Sequence, residues 1–212
     1  MMKNLPGLAA LLALAGGCTL AQAQENVAKF GVTRYDTHAR TTGIRGIGVP
    51  AGADAEVGDA TTVIFTYERL FTPNLGLELV VGVPPKIKSR ASGSVAFLGE
   101  VLEAKNVAPT LLLNYHFGQP GDALRPYVGI GVNYTKFVGI KSSLATDVQM
   151  SDSTGLAVQA GIDYSFNKQW GFFASIAALK VKSDLVAAGS TVLQTTIDFR
   201  PLVYSAGVSY RF

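Results

Sequence analysis

The sequence predicts an all-β chain: an eight-stranded antiparallel transmembrane β-barrel, with bulky side chains toward lipid and a narrow, polar interior. Three observations predict it. Bulky apolar residues recur at every second position along eight segments, separated by Gly, Ala, Ser, Asn or an isolated ionisable group. The connections between those segments alternate between short and long, as in outer-membrane barrels. Only 16% of the 212 residues are charged, against about 25% in ordinary globular chains. Yet past the N-terminal stretch no run reaches the roughly 18 apolar residues that a membrane helix needs.

Residues 1–23 read as a cleaved secretory signal peptide. Their only charge is Lys3, followed by the apolar run Leu8 to Ala15 and the small-x-small exit Ala21-Gln22-Ala23. Pro6, Gly16 and Gly17 argue against a retained anchor helix, and Ala15 stands where a lipid-attachment motif around Cys18 prefers Leu. Cys18 is the only cysteine, so the expected mature chain, 24–212, is a single domain held by core burial or by closing a sheet rather than by disulfides. Without Lys3, the 18 basic residues fall to 17 against 15 acidic. Such a balance does not support a partner read through bulk positive charge, and no nucleic acid is expected.

The strands follow in order. The first and second, Val27–Tyr35 and Thr61–Leu70, alternate weakly. Strict alternation with Phe30 and Val32 turns Arg34 toward lipid, unless a bulge or the rim relieves it. The third sets Leu75, Leu77, Leu79, Val81 and Val83 against Gly76, Glu78, Val80 and Gly82. The fourth sets Leu111, Leu113, Tyr115 and Phe117 against Leu112, Asn114 and His116, and the fifth Val128, Ile130, Val132 and Tyr134 against Tyr127, Gly129, Gly131 and Asn133. The sixth, from Gly155 to Phe166, and the eighth, from Leu202 to Phe212, alternate along their length; the seventh, Trp170–Val181, does so weakly. A second face this poor in charge does not suit bulk water, so the bulky face meets lipid and the small face lines the lumen.

Phe71–Asn74, Gly118–Arg125 and Asn167–Gln169 are the short, periplasmic turns. The stretches 36–60, 85–106, 138–153 and 182–192 are the long, extracellular loops. Phe71, Tyr115, Phe117, Tyr164, Phe166, Trp170, Phe172, Tyr210 and Phe212 all lie beside a short turn or the C-terminus, where they would form a girdle at the lipid boundary.

Against this background Val107-Ala108-Pro109-Thr110-Leu111-Leu112-Leu113-Asn114-Tyr115-His116-Phe117, followed by Arg125-Pro126-Tyr127-Val128-Gly129-Ile130-Gly131-Val132-Asn133-Tyr134-Thr135, resembles the central signature of the OmpW family. Thr72-Pro73-Asn74-Leu75-Gly76-Leu77-Glu78-Leu79, Gly161-Ile162-Asp163-Tyr164, Trp170 and Gly207-Val208-Ser209-Tyr210-Arg211-Phe212 extend the match. The chain departs at Pro84-Pro85-Lys86-Ile87-Lys88, where the family often carries a histidine, and in the glycine-rich stretch from Ala39 to Asp59. The resemblance implies a monomeric or weakly associated barrel in the outer membrane of a Gram-negative bacterium, admitting small hydrophobic molecules. Outer-membrane lipid, such a solute and the barrel-assembly machinery are the partners implied, the last through the C-terminal signal Phe212.

Catalysis has little to work with. His38 falls in a loop and His116 shares the lumen face near the periplasmic end, so no enzyme, cofactor or metal site is expected. Gly129-x-Gly131 lies inside a strand with no helix after it, which excludes a dinucleotide fingerprint. Glu78, Asn114, His116, Asp163 and Arg211 should point inward as a polar constriction toward the periplasm. Pro84 and Pro85 end the third strand and Pro109 opens the fourth, so hydrogen bonds between them should be missing near the outer rim: either the wall ends there or a lateral window opens. Val95, Phe97, Leu98, Val101 and Leu102 would form an apolar entrance on the loop side. The alternative is a structural or surface-interaction barrel without transport; a lumen packed shut along its whole height would favour it.

Overall fold

A computed structural model describes residues 25–188 and 192–212; the signal-peptide reading of 1–23, with Lys3 and Cys18, lies outside the described residues. In chain order the strands are β1 (Glu25–Asp36), β2 (Arg40–Thr41), β3 (Ala53–Val57), β4 (Ala60–Leu70), β5 (Leu75–Gly82), β6 (Lys86–Gly93), β7 (Glu100–Val107), β8 (Thr110–His116), β9 (Leu124–Ser142), β10 (Asp147–Met150), β11 (Ser153–Ser165), β12 (Trp170–Leu179), β13 (Lys182–Ala188), β14 (Val192–Asp198) and β15 (Leu202–Arg211).

Eight of them, β1, β4, β5, β8, β9, β11, β12 and β15, pair antiparallel in that order, and β15 returns to β1 to close the barrel. The closing register runs from Val27 opposite Arg211 to Asp36 opposite Leu202. Closure pairs the strands all the way round, so no edge strand is left free in the lipid.

Alternation decides the faces. Along β1, Lys29 and Thr33 are buried while Phe30 and Val32 are each 57% exposed, which is the reverse of a water-soluble sheet and suits a hydrocarbon surround. Arg34 does face outward, at the loop-side end of its strand, where its guanidinium meets Asp59 at 2.8 Å; the rim relieves it, and no bulge is needed. At the short-turn end, edge-on or tilted ring pairs such as Tyr115–Phe117, Phe166–Phe172 and Trp170–Tyr210 stand 4.9–5.2 Å apart and face out.

The long connections are not irregular. β6 and β7 form a hairpin that adds to the upper half of β9, with β3 on its far edge, while β10, β13, β14 and β2 make a second small sheet. They show no apolar-out alternation in the sequence because these strands stand clear of the hydrocarbon. Lys86, Lys88 and Arg90 alternate with Ile87, Ser89 and Ala91, a charged-out pattern instead of an apolar-out one. Where the two sheets meet, Ala104, Phe137, Val181, Ile197 and Phe199 form a small apolar core above the barrel.

Candidate functional site

Side chains from six strands converge in the lower lumen. Register sets Glu68 of β4 directly opposite Glu78 of β5, a like-charge pair that destabilises a sheet unless a cation joins it. Lys29 of β1 is that cation. Its ammonium lies 3.5 Å from Glu68 Oε2, 3.8 Å from Glu78 Oε1 and 3.1 Å from Asp163 Oδ1 on β11, and 4.6 Å above the Tyr127 ring. Asn114 Nδ2 donates to both Glu68 Oε1 and Glu78 Oε2 at 2.9 Å. Gln159 Nε2 donates to Glu78 Oε2 at 2.7 Å and to Asn114 Oδ1 at 2.8 Å. His116 Nε2 stands 2.7 Å from Glu68 Oε1, and its Nδ1 stands 3.6 Å from Asp163 Oδ2.

Small residues make room for this cluster. A Cβ on Gly129 would come within 2.1 Å of Asn114 Oδ1, and one on Gly161 within 2.4 Å of the Tyr127 ring, so neither position tolerates a side chain without moving the cluster. Below it, the buried Arg125 donates to the carbonyl oxygens of Pro73 at 2.7 Å and Phe117 at 3.4 Å, tying two periplasmic turns together.

Of the residues the sequence singles out for the lumen, Glu78, Asn114, His116 and Asp163 meet in this floor. Arg211 does not; it pairs with Glu25 at 2.6 Å at the strand ends. Sequence reasoning missed Lys29, Glu68, Arg125, Tyr127 and Gln159. The signal for Lys29 and Glu68 was present, because each lies on the inward face of its strand, but those strands alternate too weakly to draw notice. Glu68, His116 and Asp163 bring one ligand atom each within 4.8 Å of one another, a grouping that no count of histidines could suggest. The Lys29 ammonium stands among the same oxygens and supplies positive charge that a metal ion would otherwise bring.

Above the floor the lumen turns apolar. A mid-lumen cavity of about 50 Å³ is bordered by Thr66, Leu112, Phe173 and Val203. A narrow space of about 20 Å³ beside Tyr35, Ala108 and Leu179 leads up to Phe137 and Phe199, whose rings stack at 5.3 Å. Beyond the apolar core around that pair lies a loop-side cavity of about 70 Å³, lined by Ile44, Val101, Leu102, Val148, Leu185 and Ile197. Val101 and Leu102 therefore border the loop-side cavity. Val95 packs instead against Ala53 and Ala91, while Phe97 and Leu98 are exposed on a single turn of 3₁₀ helix.

The three prolines bracket a break in the wall. Pairing of β5 with β8 ends at Val80 opposite Thr110, and the next links are Asn106 N–H to the Pro85 carbonyl at 3.4 Å and Lys86 opposite Lys105. Between them each side is held only by its other neighbour: Val83 N–H donates to the Val63 carbonyl at 3.1 Å, and Tyr134 N–H to the Pro109 carbonyl at 3.0 Å. Val81, Gly82 and Ala108, which edge the break, also line the mid-lumen cavity.

Comparison with known proteins agrees with this architecture. The OmpW family model matches residues 23–212. Outer membrane protein W of Vibrio cholerae is 28% identical over the full length of both chains. The Dibenzothiophene metabolism operon protein PahQ of Pseudomonas aeruginosa is 26% identical over 87% of each. Among solved structures, the outer membrane protein OprG of Pseudomonas aeruginosa superposes with a TM-score of 0.81 at 27% identity, covering 90% of this chain and 96% of that one. The closed eight-stranded wall, its lipid-facing surface and a family match over nearly the whole length lead to one conclusion: the chain belongs to the OmpW family, β-barrel proteins of the Gram-negative outer membrane.

Proposed function

We propose that this barrel admits small hydrophobic molecules across the outer membrane and releases them sideways into the bilayer. The observation that carries the reading is an apolar cavity at the loop end, set above a lumen whose lower half is filled by a buried ionic cluster. Desolvated charges make that floor a barrier to an apolar solute. A path that begins in the loop-side cavity therefore has its cheaper exit through the wall, at the break between β5 and β8 framed by Pro84, Pro85 and Pro109. A PahQ relative, named for a dibenzothiophene metabolism operon, supports an apolar, ring-bearing solute as one candidate class.

Each of the three spaces along this path, about 50, 70 and 20 Å³, is well below the roughly 150 Å³ that holds a benzene, so the path described is a closed one. Passage needs Phe137 and Phe199 to part. Val101 and Leu102 serve at the entrance, and the floor of Lys29, Glu68, Glu78, Asn114, His116, Gln159 and Asp163 is a seal rather than a catalytic site. In the same reading, export removes residues 1–23, Phe212 is presented to the barrel-assembly machinery, and the mature barrel works as a monomer or weak oligomer. The loop-side cavity supports transport over the alternative of a purely surface-interacting barrel.

The test is uptake. Cells with and without the chain are offered alkanes, fused aromatic rings and a polar sugar of similar size. Faster uptake of the apolar compounds alone is expected; equal uptake with and without the chain overturns the reading.

A further inference from the structure

The sheet formed by β6, β7 and the upper half of β9 turns its outer face toward the zone just above the lipid. Along β9 the outward positions run Val128, Ile130, Val132, Tyr134 and then Lys136, so the first cation stands two residues, about 7 Å, beyond the last aromatic ring. Lys136 lies level with Val107 on β7, and Lys105, two residues above Val107, is directly opposite Lys86 on β6. Three lysines thus share a band at headgroup height, over an apolar strip of Val83, Val107 and Tyr134, all exposed.

Acidic neighbours balance this face only in part: Glu103 reaches Lys86, and Asp152, next to the residue opposite Thr135, accepts from the Tyr134 hydroxyl. On this face Lys88 takes Glu100 at 3.0 Å and Lys86 reaches Glu103 at 3.8 Å, while Glu56 faces Arg90 across the sheet. Among the described residues Lys105, Lys136 and Lys141 form no ion pair with a carboxylate. Lys86 directly across from Lys105 is a like-charge pair in which Glu103 offsets Lys86 alone, so an anion that also reaches Lys105 would relieve it.

We infer that this lysine band binds the phosphate groups of outer-leaflet lipid. The chemistry fits an amphiphile rather than a free anion: phosphate would sit against Lys86, Lys105 and Lys136 while acyl chains lie on Val83, Val107 and Tyr134 just below. Lysine suits such a site as a point charge that accepts phosphate from several directions. The band also sits over the break between β5 and β8, so a lipid held there occupies the wall next to it. The inference stands on charge and register, and does not depend on transport.

The experiment titrates the full chain, folded in neutral detergent, with bis-phosphorylated lipid A and counts bound lipid by native mass spectrometry. A variant carrying Lys86→Gln, Lys105→Gln and Lys136→Gln should bind at least about tenfold more weakly. A Lys168→Gln control at a periplasmic turn should bind as the parent does, and dephosphorylated lipid A should bind the parent as weakly as phosphorylated lipid binds the triple variant. Lys105→Glu alone should show the same loss, which keeps the test decisive if the triple variant fails to fold. Parent-like binding by the folded variants overturns the inference. Displacement of the lipid by inorganic phosphate at equal concentration also overturns it, because the site would then be one for a free anion.

Discussion

Lys29 is the side chain on which the lumen floor depends. Its ammonium is fully buried among three carboxylates, and removing one partner of a buried ionic group leaves uncompensated charge that costs about 3–5 kcal/mol. Lys29→Met should lower stability by that amount in urea unfolding from lipid vesicles, whereas Arg34→Met, at an exposed rim pair, should change it by less than about 1 kcal/mol. Gly129→Ala tests the fit from the other side. Its methyl must displace Asn114 Oδ1, and a loss of about 1–3 kcal/mol is expected in the same assay. At this scale the sequence was only partly legible. Alternation places Glu78, Asn114, His116 and Asp163 on the inward face, but which inward residues from different strands meet depends on the stagger of the ladders. Arg211 shows the limit: it has the right face and the wrong height.

The element that invites a test is the break between β5 and β8. Replacing Pro84 and Pro85 with Val and Pro109 with Thr restores three N–H donors where two facing strand ends run unpaired. If the break is the exit, uptake of apolar solutes should slow severalfold while the barrel keeps its heat-modifiable mobility in gels; unchanged uptake by a folded variant removes the exit. Barrel strands were easy to read because lipid demands bulky residues at every second position. The extracellular strands were not, since β6 and β7 lie in water and their outward positions carry Lys, Arg and Glu. Nor could the sequence show that β9 continues to Ser142, because Lys136 interrupts the apolar series without ending the strand.

For the molecule as a whole, the closed wall and the loops on one side fix an orientation that labelling can check. Single cysteines near residues 45, 95, 145 and 187 should react with an impermeant reagent on intact cells, and those at 73, 120 and 168 should not. The filled floor further implies that a planar bilayer carrying the chain shows no large, stable single-channel conductance.

The pairing of β1 with β15 joins residues almost at opposite ends of the described chain, with Asn26 and Phe212 exchanging backbone hydrogen bonds at 3.0 and 2.9 Å. Every other barrel ladder can form between neighbours as the chain arrives, but this seam has the longest loop to close and so the largest entropic barrier. Until the last residues are present, two strand edges stay open at once, and an open edge in hydrocarbon costs several kcal/mol per unsatisfied group. Sealing is therefore the step that waits for β15, and a variant lacking that strand should stay an open sheet rather than become a seven-stranded barrel, read as loss of heat-modifiable mobility in gels.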